Sequence, residues 1–494
     1  MQIKDILYRQ KENIKIAIEY LDEKISYKEL NKRVSDISQE ILKKSQYLHC
    51  NNMGIFLPNS ILYAMGYFSI AYLDKIIVPM EISLSKLQFQ SIVNYCEIGT
   101  IMTEKAYFET IKRYCEDFQY DLELFLIDIN KIVVIKGKEK RKVLEKVRDH
   151  IDENDVAIML HTSGTTSDPK KVMLSHKNII TNIESNIASL NLNENDKTLI
   201  VLPMFFGYCN SSQFLTHLYL GASIVIAKQP FNPINFLKLI DTKKCTNTTC
   251  VPSMLFLIIN MNKKYDTSSL RYLCFGGGLM PVDKLHKIIE YFNGTGIVQT
   301  YGQTEASPRV TCLLPEDSLR KIGSVGKSIP NVKVNIFDED DKPVKVGEKG
   351  EIVVQGDNVM VGYYKHEDIT EKTKRNGWLH TGDIGKFDEE GYLYIVGRIK
   401  NMIISGGLNI YPEEIEEVLI NHPDVKDVVV TGEKHDILGE VPVVRIVTGN
   451  DKLKAYDIVE YCSKYLDKNK TPKKVIFCNE LKKTYTGKIV RKNL

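Results

Sequence analysis

The sequence predicts a layered α/β protein. A large, multi-lobed N-terminal domain ends in a β-rich lobe, and a small α+β domain follows. Short apolar strand-like runs alternate with helical ones from the N-terminus to about Asn331, the pattern of largely parallel sheets covered by helices. From Asn331 the chain changes to in–out alternation around acidic turns, the texture of antiparallel hairpins. The 494 residues also exceed one ordinary domain.

Taken in order, Leu30, Val34, Ile37 and Ile41 recur at helical spacing, and Ser26 with Glu29 forms a capping box in front of them. Met53 to Leu57 is a short apolar strand stopped by Pro58, with Asn59 or Ser60 available to cap the next helix. That helix starts in the longest apolar run, Ile61 to Leu73, whose 13 residues are too few to span a bilayer. The strand rhythm returns at Thr198 to Leu202, Ser223 to Ala227 and Arg271 to Phe275. Val332 to Phe337 alternates and turns at Asp338 to Pro343; Ile384 to Phe387 and Tyr392 to Val396 flank a turn at Asp388 to Gly391. The large domain is placed at 1–396 and the small one at 397–494, the latter with a helix at Pro412 to Ile420 and strands at Val425 to Thr431 and Val441 to Val447. No long Pro/Ser linker precedes Gly397, so any hinge there is short.

Composition excludes several classes. Hydrophobic residues make up 43% and charged ones 26%, the balance of a soluble globular chain. Against 66 basic and 63 acidic residues, a net charge of +3 makes no case for a polyanionic partner such as nucleic acid. The densest basic stretch, Lys136 to Arg148, is interrupted by Glu139 and Glu145 and reads as a solvated face. The ten cysteines are scattered without a Cys-x-x-Cys pair, which suggests structural thiols in a reducing compartment; Cys245 and Cys250 are the closest two. The N-terminus lacks the apolar core of a signal peptide. The expectation is a cytoplasmic protein without stable membrane insertion.

Residues Thr162 to Lys170 follow a buried strand at Val156 to Leu160, and five of the nine carry hydroxyls. Hydroxyls and backbone N–H groups around Gly164 suit a polyphosphate, since they supply many donors with little bulk. The spacing is not that of a Walker loop, and an ordinary surface loop has the same composition. The order of motifs decides between these. The loop, with its continuation Lys171-Val-Met-Leu-Ser-His176, resembles the phosphate loop of the adenylate-forming superfamily: acyl-CoA synthetases, luciferases and the adenylation domains of peptide synthetases. Ser167 and Lys171 stand where that family usually has glycine, which predicts a stiffer loop.

Four further segments carry the resemblance. Tyr301-Gly-Gln-Thr-Glu-Ala306 implies Tyr301 against adenine, Thr304 on the α-phosphate and Glu305 on Mg²⁺, an ion that accepts one carboxylate together with phosphates and water. Trp378 to Asp383 implies Asp383 on the ribose hydroxyls. Gly397 to Glu416 is the longest match: it implies nucleotide contact for Arg398, a hinge at Lys400 and a thiol-acceptor loop at Ser405, Gly406 and Gly407. Thr484 to Arg491 identifies Lys488 as the catalytic lysine, able to bridge the substrate carboxylate and the α-phosphate. By the same resemblance Thr162, Ser163, Gly164, Thr165, Thr166, Lys170, Gly277 and Gly278 bind ATP, Lys488, Thr304 and Glu305 form the catalytic set, and Phe206, Gly207, Val251, Gly278 and Ala306 line the acyl pocket.

Phe206 stands where many acyl-CoA synthetases carry histidine. The aspartate that pairs with an amino-acid ammonium is not evident, which favours an acyl or aryl acid over an α-amino acid. The implied chemistry is attack of the carboxylate on the α-phosphorus of ATP, with loss of pyrophosphate. The small domain, mobile by this resemblance, then turns about Lys400, and a thiol takes the acyl group. Coenzyme A is the expected acceptor, with the phosphopantetheine arm of a separate acyl carrier protein as the alternative. A non-catalytic nucleotide-binding regulator, or a kinase or NTPase releasing ADP, are readings of other classes.

Overall fold

The computed structural model describes residues 1–45, 50–118, 122–128, 132–135, 151–161, 170–261, 265–278, 280–483 and 489–491. Three sheets organise them.

An eight-stranded sheet has a parallel centre of Asn52–Phe56, Ile76–Pro79, Thr100–Thr103, Glu123–Ile127 and Val156–His161. Lys171–Ser175 closes one side antiparallel to Val156–His161, with Gly362–Tyr363 on its outer edge. The phosphate-loop motif therefore connects two adjacent antiparallel strands; Thr162 to Pro169 lie outside the described residues.

A fourteen-stranded sheet carries the remainder of the large domain. Its parallel half comprises Ile16–Tyr20, Ser223–Ile226, Lys197–Ile200, Asn247–Cys250, Tyr272–Gly276 and Gly296–Gly302. The direction reverses at Arg309–Leu313, which runs antiparallel to Gly296–Gly302. It continues through Ser324–Ser328, Leu393–Arg398, Trp378–Phe387, Gly350–Gln355 and Lys333–Phe337. The β-rich lobe expected after Asn331 is thus the antiparallel half of the same sheet.

Local chemistry explains the helices that brace these layers. Glu29 N–H donates to Ser26 Oγ at 3.2 Å and Ser26 N–H to Glu29 Oε2 at 3.0 Å, closing the capping box of helix Tyr27–Lys44. Its buried stripe of Leu30, Val34, Ile37 and Ile41 packs against helix Ile61–Tyr72, which is buried on almost all sides. Ser60 caps that second helix. Asn59, the other candidate, instead donates to Leu202 O at 2.8 Å and accepts from Met204 N–H at 2.8 Å, pinning the chain just before Phe206.

From Ile403 a five-stranded sheet with helices Pro412–Ile420 and Ala455–Tyr465 encloses its own apolar cluster, which includes Ile403, Ile415, Leu419, Val430, Val444 and Ile458. Lys349 Nζ on the β-rich lobe pairs with Glu414 Oε1 of this unit at 2.5 Å. Nine cysteines are buried and Cys478 is part-buried; no group of three potential metal ligands occurs among the described residues. None of the described helices is long and apolar enough to cross a membrane. The basic stretch Lys136 to Arg148 lies outside the described residues.

Candidate active site

The site forms where the parallel half of the large sheet meets its antiparallel half. Strand Gly296–Gly302 carries Tyr301 next to its end, and the chain turns through the 3₁₀ segment Thr304–Ala306 before returning as Arg309–Leu313. Only glycine fits at 302, because a Cβ there would lie 1.9 Å from Pro308 O.

The Tyr301 hydroxyl donates to Asp383 Oδ2 at 2.8 Å. Arg398 Nε pairs with Asp383 Oδ1 at 2.7 Å, from directly across the antiparallel pair. Asp383 is almost fully buried while Arg398 remains part-exposed. Burial, ahead of the neighbouring Asp383 charge, pushes the Tyr301 phenol well above the usual tyrosine range, so it stays a neutral donor at working pH.

Asp383 is held from behind. Glu351, on strand Gly350–Gln355, accepts Gly382 N–H at 2.9 Å through Oε1 and lies 2.7 Å from His380 Nδ1 through Oε2. Gly382 has φ +71°, a left-handed turn that presents the next residue, and Thr381 Oγ1 accepts Asp383 N–H at 3.1 Å. Arg375 clasps Asp341 below, and His380 Nε2 is 3.8 Å from Asp341.

A second group surrounds Glu305. The Tyr363 hydroxyl donates to Glu305 Oε1 at 2.8 Å, and Lys170 Nζ sits 5.6 Å from the centre of the Tyr363 ring. Burial, then Glu305, push the Tyr363 phenol upward. The edge pair Gly362–Tyr363 with Lys171–Ser175 joins the end of the phosphate-loop motif to Glu305. Glu305 provides one carboxylate next to the Thr304 hydroxyl, oxygen donors that fit a magnesium ion held together with phosphate oxygens and water.

The described residues include all five positions expected to line the acyl pocket. Gly207 starts a short helix, and a Cβ there would lie 3.6 Å from Thr304 Oγ1. Phe206, part-buried, caps this helix. Gly277, with φ +82°, and Gly278 are exposed at the end of strand Tyr272–Gly276. Pro252, next to the buried Val251, is the nearest neighbour of a Cβ at Gly278, at 3.5 Å. Ala306 is buried, and its carbonyl accepts from Asn358 Nδ2 at 2.8 Å.

Lys400 lies just past Arg398 in a 3₁₀ turn, within electrostatic reach of Arg398, Asp383, Arg491 and Lys170. Ser405, Gly406 and Gly407 do not join this cluster by any described contact. Gly406 and Gly407 are exposed in a turn of the small sheet, where Gly406 N–H donates to Leu438 O at 2.8 Å. Thr162, Ser163, Gly164, Thr165, Thr166 and Lys488 lie outside the described residues. Motif reading passed over Glu351, Tyr363 and His380. A strand glycine–glutamate pair and a Gly-Tyr pair carry no composition signal of their own, and their roles depend on cross-strand partners.

Known proteins resemble this chain along nearly its whole length. Residues 8–364 match the family model described as AMP-binding enzyme, and residues 414–488 match the AMP-binding enzyme C-terminal domain. A 2-succinylbenzoate–CoA ligase of Bacillus cytotoxicus is 30% identical over 97% of this chain and 95% of its own length; one from Bacillus pumilus is 32% identical over 97% and 94%. The o-succinylbenzoate CoA synthetase (MenE) of Bacillus subtilis, solved with its acyl-adenylate OSB-AMP, superposes with a TM-score of 0.86 at 28% identity, covering 100% of this chain and 97% of that one. The same synthetase solved with ATP and magnesium ion gives 0.85 at 28% identity, over 99% and 98%. The chain belongs to the AMP-binding enzyme family and is an adenylate-forming ligase.

Proposed function

From membership in the AMP-binding enzyme family, we propose that the chain activates a carboxylic acid with ATP as its acyl-adenylate, releases pyrophosphate, and transfers the acyl group to coenzyme A. The observation that carries the residue assignments is the convergence of two groups on one sheet reversal: Tyr301 with Asp383 and Arg398, and Glu305 with Tyr363 and Lys170.

Tyr301 presents its ring face to adenine, and Asp383 accepts from the ribose hydroxyls while Arg398 neutralises it. Thr304 and Lys170 face the phosphates, with the hydroxyl-rich loop at Thr162 to Thr166 completing the cradle. Glu305, oriented by Tyr363, would hold magnesium, which neutralises the phosphates and the departing pyrophosphate. Catalysis on this account is positioning and charge stabilisation; Lys488 supplies the cation between carboxylate and α-phosphate.

The large domain, 1–396, binds nucleotide and acid, and the small domain, 397–494, pivots at Lys400. The exposed Gly406–Gly407 turn fits a state in which the thiol-acceptor loop has yet to meet the acyl group. Phe206, Gly207, Val251, Gly278 and Ala306 carry no carboxylate to pair with an ammonium, so the acid is an acyl or aryl acid. The relatives are named for 2-succinylbenzoate and coenzyme A, which makes these the first acid and acceptor to offer. We place the enzyme in the cytoplasm, where both ATP and coenzyme A are available.

Exchange of labelled pyrophosphate into ATP, dependent on added acid and followed by AMP release with coenzyme A, tests the proposal. ADP and phosphate as products would overturn it. Adenylation without a coenzyme A thioester would turn the second step to a carrier protein's phosphopantetheine.

A further inference from the structure

Glu305 is held by two contacts from one segment. Met360 N–H donates to its backbone carbonyl at 2.8 Å, and the Tyr363 hydroxyl donates to its side-chain Oε1 at 2.8 Å. The segment itself is fixed on both sides. Val361 N–H donates to Met173 O and Tyr364 N–H to Lys171 O, both at 2.9 Å, so it lies along the strand that leaves the phosphate-loop motif. Lys374 Nζ donates to the carbonyls of Met360 at 2.7 Å and Val361 at 3.2 Å, and Thr370 Oγ1 accepts Tyr363 N–H at 2.9 Å. Tyr363 is 7% exposed, which leaves its phenol little freedom to move off the carboxylate.

The result is an asymmetric carboxylate. Oε1 is engaged by the phenol, whereas Oε2 has no hydrogen-bond partner among the described residues. The Tyr363 ring meanwhile lies 5.6 Å from Lys170 Nζ, so its hydroxyl and its ring serve separate groups. Divalent ions respond differently to such a glutamate. Magnesium keeps a small octahedral shell and is satisfied by one carboxylate oxygen together with phosphates and water. Calcium is larger, takes roughly six to eight oxygens and can draw both oxygens of one carboxylate. A glutamate with one oxygen already bonded gives the first ion all it needs and the second less.

We infer that Tyr363 is a specificity residue for the metal: by occupying Glu305 Oε1 it limits this glutamate to single-oxygen ligation and so favours magnesium over calcium in the ATP complex. This rests on the adenylation reading above, which puts magnesium at Glu305, and deepens it. Tyr363 acts through Glu305 and is a positioning residue, not a ligand.

The test measures metal binding directly. Displacement of Mn²⁺ from the enzyme–ATP complex by Mg²⁺ or Ca²⁺, followed by electron paramagnetic resonance with enzyme in excess and no acid present, gives both affinities without turnover. In the unmodified enzyme the preference for Mg²⁺ over Ca²⁺ should exceed that of free ATP by about tenfold, the lower end of what one hydrogen bond to a charged group contributes. Tyr363→Phe removes the hydroxyl and keeps the ring. It should return the ratio toward that of free ATP, while ATP affinity without metal moves less than about twofold because Lys170 keeps its ring. Pyrophosphate exchange should follow, with the calcium-supported rate rising relative to the magnesium-supported one. An unmodified enzyme no more selective than free ATP would overturn the role of Tyr363 and, with exchange intact, leave the adenylation reading standing. So would a Tyr363→Phe enzyme that weakens both ions in equal proportion, since that marks a purely structural contact. Exchange with no acid, whichever ion is supplied, would overturn both.

Discussion

Glu351→Ala should separate nucleotide affinity from chemistry. The carboxylate makes two contacts with the turn before Asp383, at 2.9 Å to Gly382 N–H and 2.7 Å to His380 Nδ1, and His380 is buried with a 3% exposed side chain. A hydrogen bond to a charged group contributes about 1.5–3 kcal/mol. Loss of the Gly382 contact alone would loosen the turn by about 2 kcal/mol, or roughly 30-fold in affinity for any ligand that depends on Asp383. The reacting phosphates are proposed to meet Glu305, Thr304 and Lys170, none of which contacts Glu351. KM for ATP should therefore rise roughly 10- to 30-fold while kcat at saturating ATP falls less than about threefold. Steady-state adenylation over an ATP titration measures both. Glu351→Gln keeps an acceptor for Gly382 N–H and should restore most of the affinity. An alanine variant with unchanged KM for ATP, or one that loses kcat and KM together, would refute the claim that Glu351 acts by aiming Asp383.

Three other outcomes follow from the assignments. Lys488→Ala should depress adenylation by about 10²-fold or more while sparing thioester formation from preformed acyl-adenylate; an equal loss in both half-reactions would make it structural. Lys400→Pro should spare pyrophosphate exchange and stop thioester synthesis, because proline fixes φ near −65° and a hinge must change its dihedrals, whereas Lys400→Ala should be nearly silent. Intact thioester synthesis in the proline variant would move the pivot elsewhere. Burial pushes Glu416 up to about 7, outweighing the Arg491 guanidinium 2.6 Å away. With its folded value above the unfolded one, its stability contribution is fully present below pH 4.5 and is lost as pH rises through about 7, at most about 3 kcal/mol. Urea midpoints should fall between pH 5 and 8 in the natural chain and stay flatter in Glu416→Gln; matching slopes would show that Arg491 compensates the charge.

Local chemistry was legible in the sequence and long-range register was not. The Ser26–Glu29 box and the helix Pro412–Ile420 stand where their residues predict, because a cap and an apolar stripe act within a turn or two. Strand Tyr272–Gly276 begins one residue later than expected, and Val425–His435 runs four residues further than its apolar part. Hairpin texture after Asn331 predicted antiparallel strands, but nothing local says that they extend the parallel sheet. That join depends on Arg309–Leu313 finding Gly296–Gly302. In the site, Tyr301, Glu305 and Asp383 stood out through motif resemblance, whereas Tyr363 and Glu351 act through partners 58 and 31 residues away.

The continuity of the fourteen-stranded sheet has a consequence for how this enzyme comes into being. Tyr301 and Asp383 are 82 residues apart, and they meet only after both halves of the sheet have docked across Arg309–Leu313. Contacts of such sequence separation form slowly, since loop closure must precede the contacts that reward it. A nascent chain would therefore acquire its parallel half well before it could grip a nucleotide. Because ATP would bind only the docked form, it would pull the whole assembly toward completion by mass action. Nucleotide binding in this chain would double as a checkpoint on its own maturation.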